Sequence, residues 1–123
     1  MISFKVDITP VPKGRPRFWN GHAVSDPKTR KFEREFRLAA KSHAPASPFA
    51  GPLHLTAIFN LLKPKRPSKN YPSRGDLDNL LKSVSDSLNG LFWKDDTQLV
   101  SIDAAKKYAD GQPWIYVSIQ EVA

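Results

Sequence analysis

Residues 75–96 read GDLDNLLKSVSDSLNGLFWKDD. Leu77, Leu80, Leu81, Val84, Leu88 and Leu91 fall at i, i+3, i+4, i+7, i+11 and i+14, a single apolar stripe on an α-helix. Asn89-Gly90 marks the end of the regular turns. Leu91, Phe92 and Trp93 then form an apolar plug ahead of Asp95-Asp96. An amphipathic helix with acidic residues at both ends is the clearest element of the chain, and the rest is read outward from it.

Upstream, KPKRPSKNYPSR (63–74) is a basic, proline-punctuated loop. Leu53, Leu55, Ala57, Phe59 and Leu61 alternate before it as a strand. Pro45, Pro48, Gly51 and Pro52 separate that strand from an earlier helix. This helix opens at Asp26-Pro27, an N-cap followed by proline at the first helical position, and carries Phe32, Phe36, Ala39, Ala40 and His43 at helical spacing. Asn20-Gly21 between short apolar runs signals a tight hairpin, in which Phe18 and Trp19 are expected to pack in the core or pair across the strands. Ile2, Phe4, Val6 and Ile8 alternate as a first strand. Downstream, 98–108 and 114–122 read as two strands joined by a turn at 110–113. The order is strand, hairpin, helix, strand, helix, strand, strand. That predicts a mixed α/β (α+β) fold, one layer-packed domain over 1–123, with no internal repeat.

The chain has 123 residues and no cysteine, which excludes disulfides, thiolate metal sites and a cysteine nucleophile and fits a reducing cytoplasm. No run is long enough to cross a bilayer, and the first residues lack the pattern of a leader. The net charge is +7. It is unevenly distributed: residues 1–74 hold 15 Lys and Arg against 4 Asp and Glu, residues 75–123 hold 4 against 8. A basic half joined to an acidic half suits a protein that grips phosphates with one region and holds cations with the other.

In a helix, residues i and i+2 diverge by about 200°; in extended chain they project to one side. Asp76 and Asp78 therefore converge only if Asp76 lies before the helix that carries Lys82. A cap needs one aspartate and leaves the second unexplained. Asp78, Lys82 and Asp86 follow at i, i+4 and i+8, a spacing that commonly gives surface ion pairs. If the chain folds back after the plug, Asp95-Asp96 returns towards Asp76 and Asp78. Two like charges about 4 Å apart repel by roughly 4 kcal/mol at an effective dielectric near 20, so such a cluster calls for a cation, and oxygen donors suit Mg²⁺. His22, His43 and His54 share no spacing that suggests a zinc site.

These residues resemble the RusA family of Holliday junction resolvases. The resemblance rests on Gly75-Asp76-Leu77-Asp78-Asn79-Leu80-Leu81-Lys82, on Asp86-Ser87-Leu88-Asn89-Gly90 and on Phe92-Trp93-Lys94-Asp95-Asp96. Pro12-Lys13-Gly14-Arg15-Pro16-Arg17 is also similar, and the element order agrees. The resemblance implies a RusA-like fold and a homodimeric, Mg²⁺-dependent endonuclease that cuts paired strands at four-way DNA junctions in recombination and repair. It implies Asp76, Asp78 and Asp96 as metal ligands and Lys82 as the functional lysine, with Asp95 a supporting residue.

Lys13, Arg15 and Arg17 alternate in an extended stretch, and Lys69 and Arg74 approach Asp76 along the basic loop; all five are expected to hold DNA phosphates. Lys28, Arg30 and Lys31 read as a solvated face, and Tyr71 as an aromatic able to stack on opened bases, the less favoured reading for Phe18 and Trp19. A non-catalytic DNA-binding protein of a mobile element with the same fold is the alternative. A cation-stabilised domain that binds no nucleic acid is a third. The carboxylate set argues against a pure binder, which gains nothing by placing negative charge beside phosphate.

Overall fold

The computed structural model describes the backbone of residues 1–123 and every side chain except that of Arg17. The elements are β1 (Ile2–Val6), β2 (Arg17–Trp19), β3 (His22–Val24), α1 (Pro27–Lys41), β4 (Leu53–Leu61), α2 (Leu77–Leu88), β5 (Leu99–Tyr108) and β6 (Trp114–Glu121). A short 3-10 turn at Asp96–Gln98 leads into β5. This is the order expected from the sequence, a mixed α+β fold. No helix is long and apolar enough to cross a membrane.

The main sheet runs β1-β6-β4-β5. β6 pairs antiparallel with both β1 and β4, whereas β4 and β5 are parallel. The alternation of β4 drives Leu53, Leu55, Ala57 and Phe59 to one face, each fully buried. Ile115, Val117 and Ile119 of β6 and Phe4 and Val6 of β1 join them, and both helices supply the lid: Phe32, Phe36 and Ala40 from α1, and Leu80, Val84 and Leu88 from α2. The plug residues Phe92 and Trp93 are also fully buried. β5 lies at the sheet edge, so its residues are largely exposed, with Val100 displaced where the register with β4 shifts.

Local signals account for the helix ends. The Asp26 carboxylate accepts from the amides of Lys28 and Thr29 and caps α1. The C-terminal carbonyls of α2 are met by a residue that the sequence reading did not single out. Arg37 of α1 donates to the Ser87 and Asn89 carbonyls at 3.0 and 2.8 Å, placing a cation where the helix dipole favours one. Ser83 and Ser87 are buried in α2 because each hydroxyl donates to the carbonyl one turn back.

Two expectations need correction. Ala39 and His43 do not extend the buried stripe of α1; both are exposed, and His43 instead stacks on Phe4 with ring centroids 4.8 Å apart. Of the two readings of Phe18 and Trp19, core packing fails and cross-strand pairing in the hairpin holds. They face Ala23 and His22 across the hairpin and are 80% and 72% exposed. The hairpin forms at Asn20-Gly21, with φ of 51° and 78° as a two-residue type I′ turn requires, but it stands outside the core.

Phe36→Ala should cost about 3–5 kcal/mol, because it empties a fully buried aromatic site between α1 and the sheet. Leu38→Ala, two residues on and on the exposed face, should change stability by no more than about 0.5 kcal/mol. Urea unfolding of the two variants checks both.

Candidate functional site

α2 begins where the basic loop ends. Lys106 of β5 reaches across and donates to the Gly75 carbonyl at 3.0 Å, which fixes the chain as it enters the helix. Asp76 follows with φ −63° and ψ 135°, extended and outside the helix. Its carbonyl accepts the first helical bond, from the Leu80 amide, but its carboxylate makes no capping bond. Asp78 lies in the first helical turn. Both side chains are exposed. The N-cap position is thus filled by an aspartate that leaves its carboxylate oxygens uncommitted to the helix, beside a second one, in the positive field of a helix N-terminus.

Lys82 is one turn further on. Its ammonium pairs with Asp86 at 3.1 Å, the i, i+4 contact that the spacing allowed. Asp86 is itself shared: its other oxygen takes Lys13 at 3.0 Å, and Lys13 also pairs with Glu33 of α1 at 2.9 Å. Lys13 was expected on DNA. Its side chain is instead only 24% exposed and held between two carboxylates. Burial pulls its ammonium down, but the hydrogen bonds and charges of Glu33 and Asp86 outweigh that and leave it above its ordinary value. The backbone is tied at the same place: the Lys13 amide donates to the Asn79 carbonyl at 2.9 Å, and the Gly14 amide to the Thr29 hydroxyl at 2.9 Å. A Cβ on Gly14 would lie 2.8 Å from Cβ of Asp26, so only glycine permits this approach.

The other expected phosphate-binding residues fall on two segments. Arg15 is exposed beyond the pinned Lys13-Gly14, and the Arg17 side chain lies outside the described residues. Lys69 and Arg74 are exposed on the basic loop. Lys69 sits 5.5 Å above the Tyr71 ring, while its carbonyl accepts from the Tyr108 hydroxyl. Arg74 and Arg66, with Leu61, Pro72 and Tyr108, line a cavity of about 420 Å³ under that loop.

Asp96 lies elsewhere. Its carboxylate accepts from the indole nitrogen of buried Trp93 at 2.8 Å, which orients it. Asp95 caps the 3-10 turn; the backbone hydrogen bond from Thr97 holds its carboxyl below the usual range. Gln98 completes the box, accepting from the Lys94 and Asp95 amides and donating to the Phe49 and Gly51 carbonyls. Asp95 is thus committed to capping the turn that carries Asp96.

Within one chain, Asp96 does not join Asp76 and Asp78. The 12 residues of α2 span about 18 Å between them. The sheet gives the same answer, since Gly75 is held by Lys106, seven residues along β5 from Leu99 and so about 23 Å away. Among the described residues no three Asp, Glu or His side chains converge as a metal site. The chain does not fold back along α2 because the plug is held at the far end: the Gly90 amide donates to the Trp93 carbonyl and the Phe49 amide to the Phe92 carbonyl. The sequence reading missed Glu33, Arg37 and Lys106, whose partners lie far along the chain and leave no trace in local spacing.

Lys13→Met should lower stability by about 1–2 kcal/mol at neutral pH, because it removes the cation between Glu33 and Asp86 and leaves Glu33 without its partner, Lys82 remaining on Asp86 alone. The raised lysine contributes fully below its unfolded value near 10.5 and loses that contribution as pH rises through its higher folded value. The gap between wild type and variant should therefore shrink only at strongly alkaline pH, as urea titrations across pH will report.

Residues 7–120 match the family model described as endodeoxyribonuclease RusA. The chain is also 33% identical over 139 aligned positions to the uncharacterized protein YqaN of Bacillus subtilis (strain 168), covering 99% of this chain and 97% of that protein. The family match takes in both helices, the basic arm and both aspartate segments. The chain therefore belongs to the RusA endodeoxyribonuclease family.

Proposed function

We propose that this protein is a Mg²⁺-dependent endonuclease that resolves four-way DNA junctions by paired phosphodiester hydrolysis, acting as a homodimer. The observation that carries this reading is the pair Asp76 and Asp78, exposed at the mouth of α2 with Lys82 one turn away, in a chain of a DNA-cutting family. The donor chemistry fits the metal in kind: carboxylate oxygens, no cysteine and no histidine in the same turn. Asp76, Asp78 and Asp96 would hold Mg²⁺, which when bound supplies a Lewis acid for a phosphoryl oxygen and acidifies a water.

The separation of Asp96 from the other two aspartates supports a dimer as the unit of function. A third carboxylate has to come from a second copy, with Asp96 of the partner subunit completing each pair of Asp76 and Asp78. Two such sites per dimer suit a substrate that needs two symmetrically placed cuts. Lys82, steadied by Asp86, donates to phosphate oxygens as negative charge builds on them. Arg15, Arg17, Lys69 and Arg74 bind backbone phosphates on either side.

Purified protein should nick a synthetic four-way junction in two strands with Mg²⁺ and not after chelation. Asp78→Asn should lower the rate by roughly a hundredfold or more. Retained junction binding without any cutting would favour the non-catalytic reading instead. A mixture of Asp78→Asn and Asp96→Asn chains should regain nicking, because one site of each mixed dimer is then intact; sites contained within single chains predict no recovery.

A further inference from the structure

Phe18 and Trp19 are the most exposed aromatic residues of the chain, and nothing in the fold uses them. They sit on consecutive positions of β2, so their rings project to opposite faces of a two-stranded ribbon. The ribbon is stiffened by its two-residue turn, no described side chain of β2 or β3 joins the hydrophobic core, and neither strand packs substantially on another element. Small or polar neighbours, Ala23 and His22, leave each ring uncovered across the strands. Rings of this size ordinarily gain much from burial, so two left bare on a projecting arm call for an occupant.

The surroundings define that occupant. The arm is rooted beside the candidate site: Lys13 is hydrogen-bonded to Asn79, the neighbour of Asp78, and its side chain joins the pair of Asp86 and Lys82. The segments that flank it carry exposed Arg15, Lys28 and Arg30, while Asp26 between them is engaged as the cap of α1. A stacking pair inside a cationic setting complements nucleic acid, which offers flat apolar base faces within a lattice of phosphates. In continuous duplex those faces are covered by the next base pair. At a branch point helical ends meet, and faces become available on both sides of an inserted ribbon.

We propose that the β2–β3 hairpin is a wedge that enters the branch point, with Phe18 and Trp19 each stacking on a terminal base pair. This rests on the junction-nuclease reading above and adds to it the source of preference for branched over linear DNA. The arginines and lysines, which meet phosphates in any DNA, cannot supply that preference.

The test uses the full chain, with Ca²⁺ replacing Mg²⁺ to hold the complex, and compares affinity for a four-way junction and for linear duplex of equal length. In Phe18→Ala/Trp19→Ala, junction binding should weaken about tenfold or more, while duplex binding stays within about twofold. Phe18→Tyr/Trp19→Phe, which keeps both rings, should retain the junction preference. A 2-aminopurine base at the branch point should change fluorescence on binding wild type and not on binding the double alanine variant. The wedge is overturned if the alanine variant keeps full junction preference, or loses junction and duplex affinity equally. It is also overturned if sedimentation shows that the variant loses self-association while preference survives, since the rings then cover a second copy of the chain. Wild type that cuts junctions beside an unaltered alanine variant refutes the wedge alone; wild type that neither prefers nor cuts them refutes the nuclease reading and the wedge together.

Discussion

Parallel pairing of β4 with β5 obliges the chain to travel the length of the sheet between them, and almost everything about the site follows from that. A parallel pair cannot be closed by a tight turn. The return is made by the basic loop and α2, whose leucine stripe packs on the buried face of β4 and β6. Whatever stands at the start of α2 is thereby set at one end of the sheet, and whatever follows it at the other. Asp76 and Asp78 occupy the first place and Asp96 the second. The separation of the acidic groups is a consequence of topology, not of local geometry.

Fixed ends make this arrangement rigid. Lys106 holds the entry of α2 and Arg37 its exit, and each side chain comes from another element. Between them the cluster of Lys13, Glu33, Asp86 and Lys82 joins the basic arm and both helices in one connected set of ion pairs. Partly buried pairs of this kind contribute modestly to stability, but removal of one member leaves a charge without its partner. Their use here is positional. Asp86 orients Lys82 on one side and anchors the basic arm on the other, so the two share one support.

The two halves of the charge distribution also acquire separate structural meanings. The basic surplus of the first 74 residues is not a uniform coat: Lys13 turns inward, Arg66 and Arg74 line the hollow beneath the loop, and Arg15 stands exposed near the foot of the hairpin. Of the acidic surplus, Asp95 is taken up in capping and Asp86 in pairing, while Asp76 and Asp78 remain exposed.

The sequence by itself determined the elements, because each is written in short-range pattern: the period-2 alternation of β4, the leucine stripe of α2, the Asp26-Pro27 cap and the Asn20-Gly21 turn all depend on neighbours within a few residues. It also determined that Asp76 must precede the helix, since helical geometry permits no other convergence with Asp78. Only the tertiary structure decided what depends on contacts distant in sequence. Lys13 reads locally as one of three alternating basic residues, and only the approach of Glu33 and Asp86 withdraws it. Phe18 and Trp19 read either as core or as cross-strand partners in the hairpin, and only the position of the hairpin outside the core decides between the two and leaves them bare. Asp96 reads as a neighbour of Asp76 and Asp78 if the chain folds back, and only the parallel crossover sets it a helix length away.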